Sequence, residues 1–207
     1  MVTQIPVALS ANRSFALPMA VTLHSLIRTA SSSTQLKLYL LGNDLHPGLI
    51  DAVRETVQVI ETPLPSSLLK LSTRYPQEAL APVFLDQVIE EERILFLDCD
   101  LLVLDDLQEL WNFDLRGHAL AAVQDNAQPY HPDGSSYFNC GVLLLDLKRW
   151  REQDSGRRVL DLIQTTPCRF FHQSALNQLY KDNWAELNPR WNLIAGLCGR
   201  SFTPHRL

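Results

Sequence analysis

Six short apolar runs, rich in β-branched residues, recur along the 207-residue chain: Pro6–Leu9, Leu36–Leu41, Val57–Ile60, Arg93–Leu97, Ala119–Val123 and Cys140–Leu145. They are continuous rather than alternating, which suits strands covered on both faces. Helical patterns separate them. Leu17–Ile27 sets Leu17, Val21, Leu23, Leu26 and Ile27 close to one stripe, and Pro47–Val57 opens with a proline suited to a helix start. Further helices are predicted near Pro82–Val88, Leu147–Gln164 and His172–Lys181, whereas Leu64–Leu80, with its prolines and serines, reads as a surface excursion. The β-α-β-α-β order predicts an α/β fold with a mostly parallel central sheet, right-handed crossovers and flanking helices. One domain is expected, spanning 1–207 and ending early.

Charge narrows the class of partner. Residues 1–147 hold 8 Lys/Arg against 18 Asp/Glu, residues 148–207 hold 10 against 5, and the whole chain carries -5. A duplex-binding protein needs a concentrated basic face, so no nucleic-acid partner is expected. No segment reaches the roughly 18 to 20 apolar residues of a membrane span, and the start has no basic signal-peptide region. The expected location is the cytoplasm. The basic cluster Lys148, Arg149 and Arg151 leaves room for peripheral contact with the inner face of a membrane. Cys99, Cys140, Cys168 and Cys198 lack CxxC spacing and read as reduced thiols.

Two segments carry candidate chemistry. Arg93-Ile-Leu-Phe-Leu-Asp-Cys-Asp ends an apolar strand in Asp98 and Asp100, two residues apart and therefore on one side of an extended chain. Paired carboxylates at the carboxyl end of an α/β sheet suit Mg²⁺ or Mn²⁺ bound together with a diphosphate. Tyr137-Phe-Asn-Cys-Gly places an amide, Asn139, and a glycine, Gly141, at the mouth of another buried strand. The amide supplies donors and an acceptor for sugar hydroxyls, and the glycine admits close approach to the backbone.

Phe96-Leu-Asp-Cys-Asp-Leu-Leu-Val, Tyr137-Phe-Asn-Cys-Gly-Val-Leu-Leu-Leu-Asp and His172-Gln-Ser-Ala-Leu-Asn together resemble the family-8 glycosyltransferases, the family of glycogenin and of lipopolysaccharide galactosyl- and glucosyltransferases. The resemblance runs from about Val7 to Asn192. It implies a GT-A fold, a UDP-sugar donor, Mn²⁺ or Mg²⁺ as cofactor, a saccharide or lipid-linked acceptor, and transfer with retention at the anomeric carbon. It also implies roles by position. Asp98 and Asp100 hold the metal, with Cys99 between them; Asp125 and Asn139 contact the donor sugar beside Gly141. Gln173 lies against the sugar's reacting face, next to His172, and Ala11, Asn12 and Phe15 form the uridine loop.

The chain also departs from the family pattern. His172 stands where an aspartate is common, Asn12 where an aspartate often contacts uracil, and Phe15 where a tyrosine is usual. A C-terminal histidine motif supplying a third metal ligand is not found, and His205 reads as an exposed terminal residue. These departures leave a nucleotide-sugar-binding protein without transfer activity as a second reading. Phe-Leu-Asp-Cys-Asp is also similar to the first motif of haloacid-dehalogenase phosphatases, which gives a third.

Overall fold

The computed structural model describes residues 2–65, 76–128, 131–166 and 168–194. Strand β1 (Thr3–Ser10) leads through a 3-10 turn at Arg13–Phe15 into α1 (Ala16–Thr29), followed by β2 (Thr34–Leu41), α2 (Pro47–Arg54) and β3 (Gln58–Thr62). Then come α3 (Ala81–Val88), β4 (Arg93–Leu97), the single turn α4 (Gln108–Trp111), β5 (Leu120–Gln124) and β6 (Phe138–Asp146). Helices α5 (Leu147–Glu152), α6 (Ser155–Thr165) and α7 (Phe171–Leu179) precede the two-residue strand β7 (Ala185–Glu186). Most of the predicted surface excursion, residues 66–75, lies outside the described residues.

The strands form one sheet in the order β3-β2-β1-β4-β6-β5-β7. Pairings β1·β2, β1·β4, β2·β3 and β5·β7 are parallel, as expected, but β6 runs antiparallel to both β4 and β5. That reversal positions the site. It brings the amino end of β6 to the edge where β1, β4 and β5 finish. Asp98 N–H donates to Gly141 O at 2.8 Å, and Gln124 pairs with Phe138.

Alternating side chains of the central strands feed two cores. Ile5, Val7 and Leu9 pack with Met19, Leu23 and Leu26 of α1, while Ala8 and Phe96 face α3 and α7 on the other side. Helices α3 and α6 approach so closely that a Cβ on Gly156 would meet Val83 O at 2.5 Å. The helix predicted over Leu147–Gln164 is broken, because Asp154 adopts φ 54° and separates α5 from α6. Arg151, expected in an outward basic cluster, instead turns its guanidinium onto the carbonyls of Asp86, Ile89 and Glu91. Among the described residues no helix is long and apolar enough to cross a membrane.

The segment after Asp100 belongs to no strand, so its backbone groups need other partners. Two hydroxyls of α1 supply them. Thr22 Oγ1, fully buried, accepts from Leu101 N–H at 2.9 Å and lies 2.8 Å from Leu101 O, to which it donates; Ser25 Oγ accepts from Val103 N–H at 3.0 Å. Thr22→Val keeps the shape but orphans Leu101, and is expected to cost about 2 kcal/mol in urea unfolding, with Thr22→Ser recovering most of the loss. An unchanged unfolding midpoint for the valine variant would count against this hydroxyl as the anchor.

Candidate functional site

The sheet edge where β1, β4 and β5 end and β6 begins carries two adjoining clefts that share Asp98 and His172. The first, about 230 Å³, is lined by Ser10, Ala11, Asn12, Phe15, Glu78, Cys99 and Asp100. The second, about 410 Å³, is lined by Asp125, Asn139, Cys140, Gly141, Gln173, Arg169 and Phe170. The residues of the three quoted motifs and of the loop after β1 to which the resemblance gives a role therefore lie at one edge.

In the first cleft, Asn12 spends its amide oxygen on Ser14 N–H at 3.0 Å, which starts the 3-10 turn and presents Phe15, 40% exposed, as an open ring. Ala11 is buried and its N–H donates to Leu41 O at 3.1 Å, so it contributes backbone shape. Cys99 is a protonated thiol, pushed up to about 12 by burial and by the charges of Asp100 and Asp98. Cys99, Cys140 and Cys168 are free thiols, as expected, and Cys198 lies outside the described residues.

Asp98 and Asp100 accept no hydrogen bond among the described residues. Solvent reaches Asp98 from the cleft, yet protein atoms ring its carboxyl, and this enclosure together with the charge of Asp100 pushes it up to about 7. The pair is thus an uncompensated acidic site. Among the described residues no trio of His, Cys, Asp or Glu is grouped to hold a metal. Two carboxylates fit a hard cation such as Mg²⁺ or Mn²⁺, which keeps water and ligand oxygens in much of its shell. Gly141 makes room for them: a Cβ there would stand 3.0 Å from Asp98 Oδ2 and 3.0 Å from Asn139 Oδ1.

Asp125 is the opposite case, 5% exposed and fully compensated. Its Oδ1 accepts from the N–H groups of Ala127 at 2.8 Å and Gln128 at 3.0 Å, and its Oδ2 from Asn139 Nδ2 at 3.1 Å and Gln173 Nε2 at 2.9 Å. The two amides are fixed at their other ends. Asn139 Oδ1 accepts from Gly141 N–H and Asn192 Nδ2, each at 2.8 Å, and Gln173 Oε1 accepts from Cys140 N–H at 3.0 Å. The result is a rigid polar wall built from three elements.

Two contributors have no role in the sequence reading. Asn177, one turn after Gln173, is 1% exposed; it accepts from Phe138 N–H at 2.7 Å and donates to Phe138 O at 2.8 Å and Gln173 O at 2.9 Å, pinning α7 to the start of β6. Its spacing of four from Gln173 was the available signal. Asn192 is distant in sequence and carried none. His172 bridges the clefts as a neutral imidazole, lowered to about 4 by burial, and its Nδ1 is buried with no partner among the described residues. Ser10 Oγ is likewise buried and unpartnered beside the first cleft.

Comparison with known proteins gives the family and the fold. The sequence model of glycosyl transferase family 8 matches residues 6–202. The chain belongs to glycosyl transferase family 8. General stress protein A of Bacillus subtilis is 28% identical over 206 residues, covering 88% of this chain and 71% of its own length. Glycosyltransferase GlyF of Streptococcus pneumoniae is 26% identical over 202 residues, but the chain spans only 49% of it. Among solved structures, galactosyltransferase LgtC, crystallised with donor and acceptor sugar analogues, superimposes with a TM-score of 0.78 at 24% identity, over 90% of this chain and 74% of that one. GlyE of S. pneumoniae gives 0.77 at 26% identity, over 95% of this chain and 48% of that one. The fold of this family-8 glycosyltransferase is therefore the GT-A fold.

Burial of His172 has a pH consequence. Its folded-state value lies below the unfolded one, so protonation favours the unfolded chain, and the stability present above pH ~6.5 is lost as pH falls toward 4. Relative to His172→Asn, the wild type should lose about 2 kcal/mol between pH 7 and 4.5 in urea unfolding. Parallel pH profiles for the two proteins would refute the neutral buried imidazole.

Proposed function

We propose that this protein is a retaining hexosyltransferase that moves a sugar from a UDP-sugar to a saccharide or lipid-linked acceptor. The observation that carries the reading is the adjacency of an uncompensated carboxylate pair, Asp98 and Asp100, to the rigid Asp125–Asn139–Gln173 wall, where two clefts meet. The first cleft suits a uridine diphosphate, with Phe15 open for base stacking and the acidic pair at its inner end. The second suits the donor hexose.

Asp98 and Asp100 would hold Mn²⁺ or Mg²⁺, which when bound neutralises charge on the departing diphosphate. The chain's own residues do the rest. Asp125, buried and accepting from four donors, sets a fixed carboxylate where it favours positive charge on the sugar ring. Gln173 cannot rotate, since both ends of its amide are bonded. The second lone pair of its oxygen remains free to face developing positive charge at the anomeric carbon. Asn139, Gly141 and the neutral His172 complete the sugar side.

A second reading, binding without transfer, is favoured by His172, because an imidazole cannot give a glycosyl cation the support of a carboxylate. Turnover separates the two. The haloacid-dehalogenase reading has no support: the family match is to glycosyltransferases, and no lysine among the described residues lines either cleft.

Calorimetric titration of UDP and UDP-hexoses with and without Mn²⁺ tests the proposal. Cation-dependent binding should vanish in Asp98→Ala/Asp100→Ala, and release of UDP with a saccharide acceptor should accompany it in the wild type; binding without any turnover selects the second reading. Gly141→Ala should weaken cation-dependent UDP binding about tenfold while shifting folding stability by about 1 kcal/mol, because its Cβ crowds the flexible end of Asp98 rather than the core. Equal loss of folding and binding would make Gly141 a packing residue only.

A further inference from the structure

The second cleft contains a cation that the transfer scheme does not use. Arg169 lines its wall, and among the described residues no other lysine or arginine lines either cleft. Its guanidinium rests on the Phe170 ring, 5.0 Å from the centroid, and makes no hydrogen bond to the described residues. No carboxylate pairs with it among the described residues.

The surroundings point the same way. The first turn of α7 sets His172 and Gln173 on the same cleft wall as Arg169, and the dipole of a nine-residue helix favours negative charge at this end. His172, on the same wall, adds no negative charge. Both oxygens of Asp125 are committed to its four donors, and Asp98 lies on the side shared with the nucleotide cleft. Among the described residues Arg169 is thus the one fixed positive charge that an anion in this cleft can meet.

We propose that Arg169 and the first turn of α7 form a subsite for an anionic group, a carboxylate or a phosphate, carried by the saccharide substrate. This rests on the hexosyltransferase reading and deepens it. The anion has two sources, an acidic donor sugar or an acidic acceptor, and they share one chemistry: planar or tetrahedral oxygens read by a guanidinium fork.

Two titrations on the full chain separate the sources. In the donor arm, UDP-glucuronate and UDP-glucose are titrated with Mn²⁺; in the acceptor arm, protein loaded with UDP and Mn²⁺ receives glucuronate, glucose 6-phosphate or glucose. The acidic compound should bind about tenfold more tightly than its neutral counterpart in one arm, and that ratio should collapse toward one in Arg169→Gln while Arg169→Lys keeps part of it. A donor-arm preference assigns the anion to the transferred sugar, and an acceptor-arm preference to the acceptor. Equal affinities in both arms, or a preference that survives Arg169→Gln, overturns the subsite and leaves the hexosyltransferase reading standing. Failure of UDP itself to bind with Mn²⁺ removes both.

Discussion

A buried carboxylate must be paid for in hydrogen bonds, and Asp125 sets the terms for everything around it. An unpaired charge at 5% exposure would cost several kcal/mol, so the ends of β5, β6 and α7 have to converge with donors in place. Asn139 and Gln173 each give one N–H to the same oxygen, and the loop after β5 gives two to the other. The antiparallel setting of β6 follows from the same demand. Only a strand entering from the site edge brings Asn139 to Asp125 and Gly141 to Asp98 at once.

The two acids of the site differ in how they are supported, and that contrast organises its chemistry. Asp125 is satisfied by protein and is a fixed element of the wall. Asp98 and Asp100 accept no hydrogen bond from the described residues, which leaves them open to a ligand. A protein that compensates one carboxylate four times and leaves a neighbouring pair bare is divided between scaffold and receptor at the level of single side chains. Asn177 and Thr22 extend the scaffold outward, one fixing α7 to β6 and the other fixing the segment after Asp100 to α1.

The architecture was legible because it rests on local pattern. Continuous apolar runs such as Arg93–Leu97 and Leu36–Leu41 are strands covered on both faces, and their order with the helices implies the sheet. The direction of β6 was not legible, since an apolar run reads identically in either direction. The division between α5 and α6 depends on the left-handed backbone at Asp154, an aspartate that also fits a helix surface. Asp98, Asp100, Asn139 and Gln173 stood out as polar residues at the ends of apolar segments or in a motif. Asn192 and Thr22 did not, because their partners lie 53 and 79 positions away. Arg151 misled for a related reason: its charge predicts solvent, while its carbonyl partners lie some 60 residues back, at separations of 60 to 65.

The wall that surrounds the second cleft is assembled from two kinds of material. Asp125, Asn139 and Gln173 are interlocked, so a change at any one disturbs its neighbours. Arg169 and Phe170 stand just ahead of α7 and hold none of those bonds. Mutational drift is therefore unequal across one pocket. Lineages of this fold can exchange what the outer wall recognises in single steps, while the inner wall changes only through compensated pairs, which makes substrate range the quickest trait here to diverge.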